Sequence, residues 1–194
     1  MLAFALALTL AGSAWSGLPI SFAAVELGTP LSVWWNLKPP GLVSDHVRPA
    51  CSDDPGAASS DLRLSDVPAD AVVCGYVDVY GHLRLPVTFP WRHGYQMDHL
   101  HYVFRQGRLT EIRASLENGA YNAITAEMTS NWGPPSQLIR DTTITELGRL
   151  PRVQVSWTPP GGRISIIDPS SSGKLELRLS LAATKPGLSQ KPPA

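Results

Sequence analysis

The sequence predicts an α+β protein: a curved antiparallel sheet with one main amphipathic helix, at about residues 119–132, packed on one face. Two observations support this class. Several segments between residues 72 and 182 alternate apolar and polar side chains with the period of two that half-buried strands show. A single segment has apolar residues at helical spacing, and such a helix needs an apolar surface to cover, which one face of an antiparallel sheet provides.

The first strands are predicted soon after residue 72. Residues 73–80 are rich in β-branched and aromatic side chains, which favour strands. Gly81 and His82 then indicate a turn, and residues 83–89 alternate as a partner strand should.

The next two strands are predicted to form a hairpin. Residues 99–105 alternate, with Leu100, Tyr102 and Phe104 on one face. The turn at residues 106–108 contains a glycine, which tolerates the positive φ of tight turns, and a second apolar strand follows it.

The one predicted helix follows this hairpin. Asn118 is a suitable N-cap residue, and Tyr121, Ile124 and Met128 then lie on one face at helical spacing. A glycine and two prolines directly after Trp132 are typical of a helix end.

The remaining strands are predicted at residues 142–147, 153–157, 163–167 and 175–181. The last of these is the cleanest amphipathic strand in the chain, because leucine occupies every second position from residue 175 to residue 181.

The chain is predicted to divide into four regions. Residues 1–24 are a signal peptide or an N-terminal apolar segment, and residues 25–71 are an extended, proline-rich arm. Residues 72–182 form the single α+β domain, and residues 183–194 are a disordered tail with little apolar content.

The N-terminal segment indicates export. No charged side chain precedes Glu26, and the first twelve residues form an apolar run of the length found in secretory signals. Small residues occupy the −3 and −1 positions of three possible cleavage sites: Gly12/Ala14, Ala14/Ser16 and Ser21/Ala23. We therefore expect a periplasmic or secreted protein. A buried apolar helix and an uncleaved membrane anchor are the alternatives, although glycine and proline interrupt both.

The composition excludes some classes of function. Sixteen Lys and Arg balance sixteen Asp and Glu, so the chain lacks the basic excess expected of a nucleic-acid-binding protein. No cofactor motif is present, and no Gly-x-Ser-x-Gly motif indicates a serine nucleophile. We accordingly expect no cofactor and no catalytic residues.

The two cysteines, Cys51 and Cys74, are predicted to form a disulfide if the protein is exported. The alternative is a pair of buried free thiols. A structural zinc site is not indicated, because neither cysteine belongs to a closely spaced pair.

His99 and His101 are the weak candidates for metal ligands. Two residues apart on a strand, their imidazoles point to the same face, as zinc ligands can. The third ligand would come from Asp98, Met97, His93 or His82. The alternative is that this face is simply the polar, solvent-facing side of the strand.

Four aromatic residues, Trp34, Trp35, Trp91 and Tyr95, lie in irregular segments. Exposed aromatic side chains there can form a binding surface. The favoured interpretation is that they hold long loops to the hydrophobic core.

The motifs Tyr102-Val103-Phe104, Gly107-Arg108-Leu109 and Ile112 lie in the hairpin, and Trp132-Gly133-Pro134-Pro135 follows the helix. With these motifs, the hairpin and the helix together resemble small exported bacterial proteins of unknown function. The resemblance covers about residues 72–182 and implies an exported fold, but it carries no functional residue.

The sequence therefore favours an exported cell-envelope protein that acts as a non-enzymatic binding or inhibitor-like module. Its partner would be another envelope protein, with membrane contact only through an uncleaved N-terminal segment. The alternative is an envelope metal-binding protein or hydrolase with a site centred on His99 and His101.

Overall fold

The computed structural model describes residues 20–41, 44–54, 62–91, 94–145, 148–168 and 174–182. Strands hold 55% of the described residues and helices 15%. The fold is thus mainly antiparallel β. The predicted α+β class, with residues 119–132 as a main helix packed on a curved sheet, is wrong.

Twelve strands are present in the described part of the chain. In chain order they are β1 (Ser21–Phe22), β2 (Val25–Glu26), β3 (Val47–Cys51), β4 (Ala71–Tyr80), β5 (Leu83–Pro86), β6 (Phe89–Pro90), β7 (Gln96–Arg105), β8 (Arg108–Glu117), β9 (Gln137–Thr145), β10 (Gly148–Trp157), β11 (Gly162–Asp168) and β12 (Lys174–Leu181).

Ten of these strands form one antiparallel sheet. Eight lie side by side in the order β3-β4-β7-β8-β12-β11-β10-β9, while β5 pairs with β4 and β6 pairs with β7. Most neighbours are hairpin partners, and the strands predicted from alternation after residue 72 fall in this sheet. Two of them differ in their bounds. The predicted strand at 83–89 is divided into β5 and β6, and the one predicted at 142–147 is the end of β9, with residues 146–147 outside the described residues.

Two α-helices are described, α1 (Leu31–Trp34) and α2 (Tyr121–Trp132). α2 is the predicted helix, and it ends as predicted at Gly133, whose φ is +77°. The predicted cap is wrong, because Asn118–Ala120 forms a 3₁₀ turn and no side chain caps α2.

The helix is a minor part of the core, which explains the error in fold class. Ile124 and Met128 are the two buried side chains of α2. The rest of the core cluster comes almost entirely from strands, including Leu175, Leu177 and Leu179 of β12. The clear helical spacing of these residues therefore suggested a larger contribution of the helix to the core than the structure shows.

The N-terminal described residues form a separate small hairpin that packs on the core. β1 pairs with β2 across a turn in which Ala23 and Ala24 have positive φ values of 49° and 63°. Ile20, Phe22 and Val25 are buried in the main core cluster. The segment that follows is tied to the start of β8 by a hydrogen bond from Gly28 N to Leu109 O at 2.8 Å.

The second face of the sheet carries a smaller apolar cluster near a disulfide. Cys51 of β3 and Cys74 of β4 are bonded to each other and lie directly opposite in the register of the two strands. The predicted disulfide is therefore confirmed. Ala50, Leu62 and Val77 form the small cluster, so the loop closed by the disulfide returns to the sheet.

Candidate functional site

Two of the depressions that the described residues form lie on opposite faces of the sheet. Strand β12 shows that they lie on opposite faces, because consecutive strand residues point to opposite sides of a sheet. Leu179 lines one depression and its neighbour Arg178 lines the other. We call the first the hairpin cavity and the second the charged basin.

The hairpin cavity has a volume of about 590 Å³ and opens to solvent. Its floor is the apolar face of the sheet, and its walls are the β1–β2 hairpin, helix α2 and the end of β6. The lining residues are Ile20, Ser21, Phe22, Ala23, Ala24, Pro40, Pro90, Trp91, Met97, Glu127, Met128, Asn131, Trp132, Ile164 and Leu179.

The lining of the cavity is mainly apolar with a few polar groups. Met97, Ile164 and Leu179 come from the sheet and are buried in the core. Glu127 and Asn131 are the charged and amide side chains that α2 contributes. An apolar interior with a small number of polar groups is the usual character of a small-molecule site.

Sequence reasoning did not find this cavity. Its hairpin wall comes from residues 20–24, which the sequence pattern assigns to the N-terminal apolar segment. Trp91 is one of the aromatic residues of the irregular segments, and it packs against Tyr95 with ring centroids 6.4 Å apart. Trp91 is therefore a sequence signal for the site, because it lines the cavity.

The charged basin has a volume of about 360 Å³ and is built around Arg113 of β8. The Arg113 side chain is only 8% exposed; its Nη1 donates to Asp66 Oδ1 at 2.6 Å and its Nε to Glu111 Oε1 at 2.8 Å. Arg178 of β12 also binds Asp66, at 3.2 Å, and binds Glu176 at 2.6 Å. Each of these cations is thus paired with two carboxylates.

The ion pairs shift the pKa values of Asp66 and Arg113. The hydrogen bond from Arg113 holds the pKa of Asp66 below its ordinary value of 3.8, although partial burial opposes this. Burial alone would lower the pKa of Arg113, but the bonds to Glu111 and Asp66 outweigh burial and raise it. The basin is therefore a network of ionised side chains that ties the loop at Asp66 to the sheet.

His99 and His101, the predicted metal ligands, do line the same basin. Their ring centroids are 6.1 Å apart. The backbone between them is irregular: His99 has a φ of +48°, and the β7–β8 register shifts between Asp98 and His101. The prediction that the two histidines share one face of the strand is therefore correct. The strand itself is not regular, because its pairing with β8 is interrupted between Asp98 and His101.

The described candidates for the third ligand, Asp98, Met97 and His82, do not line the basin with the two histidines. Asp98 Oδ2 accepts from Lys174 Nζ at 2.7 Å, and Asp98 Oδ1 accepts from Thr88 at 2.6 Å. Met97 is buried in the apolar core, and His93 lies outside the described residues. Within the described ranges, no group of three or more His, Cys, Asp or Glu side chains is placed to hold a metal ion.

The aromatic residues of the irregular segments divide between the two interpretations. Trp34 is completely buried and packs on Tyr76, Tyr102 and Phe104 with ring centroids 5.1–5.6 Å apart. Trp35 beside it is 40% exposed. Helix α1 is therefore held to the sheet by Trp34, as the core interpretation predicts.

Comparison of the chain with protein-family models, with curated proteins and with solved structures finds no match. The resemblance to small exported bacterial proteins stays a prediction. Among the residues that the structure describes, no helix is both long enough and apolar enough to cross a membrane.

Proposed function

We propose that the protein is an exported, non-enzymatic binding module of the bacterial cell envelope that binds a small amphiphilic molecule in the hairpin cavity. The observation that carries this proposal is the cavity itself, with its volume of about 590 Å³ and its apolar floor. Small-molecule sites are typically concave, mostly apolar and about 300–1,000 Å³ in volume.

The chemistry of the lining favours an amphiphile. Burying an apolar ligand body against Met97, Ile164 and Leu179 is favourable because it removes apolar surface from water. Glu127 and Asn131 offer hydrogen-bonding groups to a polar head. A ligand with one apolar and one polar part would satisfy both regions.

The disulfide between Cys51 and Cys74 supports the export part of the proposal. Disulfides form and persist in oxidising compartments, such as the periplasm and the extracellular space. The uncharged N-terminal segment supports the same location.

The hydrolase and metal-binding alternative receives less support. His99 and His101 share the charged basin, but the carboxylates beside them are paired with arginines and with Lys174. Such paired carboxylates stabilise the fold and are poorly placed to ligate a metal or to act as a general base. The basin is therefore better explained as a structural network.

A fluorescence titration with N-phenyl-1-naphthylamine, a neutral apolar fluorophore, tests the proposal. Asn131 and Ser130 are both exposed on α2, but only Asn131 lines the cavity. We expect saturable binding by the natural protein and by Ser130→Trp, and at least tenfold weaker binding by Asn131→Trp, in which an indole obstructs the cavity. Equal binding by all three proteins, or no saturable binding, would contradict the proposal.

A second measurement identifies the natural ligand. Protein purified from the envelope fraction of its host would be extracted with organic solvent, and the extract would be analysed by mass spectrometry. We expect an amphiphile in stoichiometric amount, reduced in Asn131→Trp. Stoichiometric recovery of an envelope protein without a small molecule would instead favour the macromolecular partner predicted from the sequence.

A further inference from the structure

We infer that the signal peptide is removed after Ala14 or after Ser16, and that the third sequence-compatible site, after Ala23, is not used. This inference rests on the proposed export of the protein. It follows from the position of the β1–β2 hairpin in the core, which the sequence pattern of small residues does not reveal.

Cleavage after Ala23 would remove side chains on which the core depends. Ile20 and Phe22 are 4% and 8% exposed, and both belong to the main core cluster. That cleavage would also remove β1 and break the pairing of Phe22 with Val25, so that the buried Val25 would lose its strand partner. Cleavage after Ala14 or Ser16 leaves all of these residues in the mature chain.

The sheet is shaped to receive Ile20. Gly162, the first residue of β11, lies directly beneath it, and a Cβ atom added at Gly162 would lie 2.6 Å from Ile20 Cδ1. The same Cβ would come closer still to the carbonyl oxygen of Ser180. Glycine at this position leaves room for both the neighbouring strand and the Ile20 side chain.

The backbone of the segment is also anchored, both within the hairpin and after it. Leu27 N donates to Ile20 O at 2.9 Å, which closes the hairpin at its open end. Farther along, Leu31 N donates to Gly107 O at 2.8 Å, at the turn between β7 and β8. The hairpin therefore forms a continuous unit with the segment that is fixed to the sheet.

The test is the N-terminus of the exported protein. The full chain, with a C-terminal tag, would be produced in a bacterial host, recovered from the periplasmic fraction and analysed by intact mass and N-terminal sequencing. A chain that starts at Trp15 or Gly17 supports the inference. A chain that starts at Ala24 overturns the inference but leaves export intact, whereas a chain that retains Met1 overturns both.

Two full-length variants test the cleavage site independently of the mass of the natural protein. Asparagine is too large for the −1 position of a signal peptidase site, and at residue 23 it also tolerates the left-handed φ of +49°. We expect Ala23→Asn to be processed like the natural protein, while Ala14→Asn/Ser16→Asn accumulates as the precursor. Efficient processing of the double variant to a chain that starts at Ala24, or loss of processing in Ala23→Asn, would overturn the inference.

Discussion

Removal of the disulfide between Cys51 and Cys74 should destabilise the protein by about 3 kcal/mol. The two cysteines are 23 residues apart in the chain. On the chain-entropy model, cross-linking a loop of this length lowers the conformational entropy of the unfolded chain and raises its free energy by about 3 kcal/mol. For a chain of this size, about 3 kcal/mol corresponds to a fall in Tm of about 6–12 °C. The β3–β4 pairing remains in the folded state, so the loss should arise mainly in the unfolded state.

Urea denaturation of three samples would measure this effect: the oxidised protein, the protein reduced and alkylated under denaturing conditions, and the Cys51→Ala/Cys74→Ala variant. The variant lacks both the cross-link and two buried sulfur atoms, and it introduces no bulky alkyl group. We expect a lower midpoint and a larger m-value for the variant, because its unfolded state exposes more surface. A free energy of unfolding within about 0.5 kcal/mol of the oxidised protein would refute the entropic reasoning.

Two further predictions concern the helix and the charged basin. Ile124→Ala should cost about 2–5 kcal/mol, since Ile124 is completely buried, whereas Thr129→Ala on the exposed side should cost less than about 0.5 kcal/mol. Equal shifts in thermal melts would show that α2 is not packed on the core. Because Arg113 lowers the pKa of Asp66, the Asp66 carboxylate stabilises the fold above its unfolded pKa, and this contribution is lost as the pH falls through the folded pKa. Asp66 is half-exposed, so the loss of stability should be under about 1 kcal/mol. Between about pH 6 and about pH 2, the urea midpoint should fall less steeply for Asp66→Asn than for the natural protein. Parallel pH profiles would contradict this assignment.

The strands after residue 72 could be predicted because their side chains alternate between a buried face and a polar face. β12 shows this most clearly, since Leu175, Leu177 and Leu179 are buried, and Glu176 and Arg178 between them lie in the basin. When the apolar residues of an alternating segment are also the buried ones, the period of two is sufficient to predict the strand.

The elements missed by the sequence reasoning have identifiable causes. β3 contains Pro49, which discourages a strand prediction but is compatible with β3 because it lies at the edge of the described sheet. The β1–β2 hairpin turns at Ala23 and Ala24, and alanine gives no signal for the positive φ values that it adopts there. Both elements therefore lacked the residues that normally mark them.

The charged basin could be predicted only in part. The spacing of His99 and His101 predicts that their side chains lie on one face, and both do line the basin. Asp66 pairs with Arg113, which is 47 positions away in the sequence, and with Arg178, which is 112 positions away. No local pattern encodes such distant pairs, so the structural role of the basin emerges only from the folded chain.

The width of the sheet links the error in fold class to the proposed binding site. Eight adjacent strands spaced about 4.8 Å apart span about 34 Å, whereas α2, with 12 residues, is about 18 Å long. A single helix cannot cover such a surface, so the β1–β2 hairpin and helix α1 cover other parts of it. Separate short covering elements do not close tightly against one another, and the hairpin cavity lies where the hairpin, α2 and the end of β6 meet. The predominance of strands over helix thus accounts for the presence of a cavity above the apolar face.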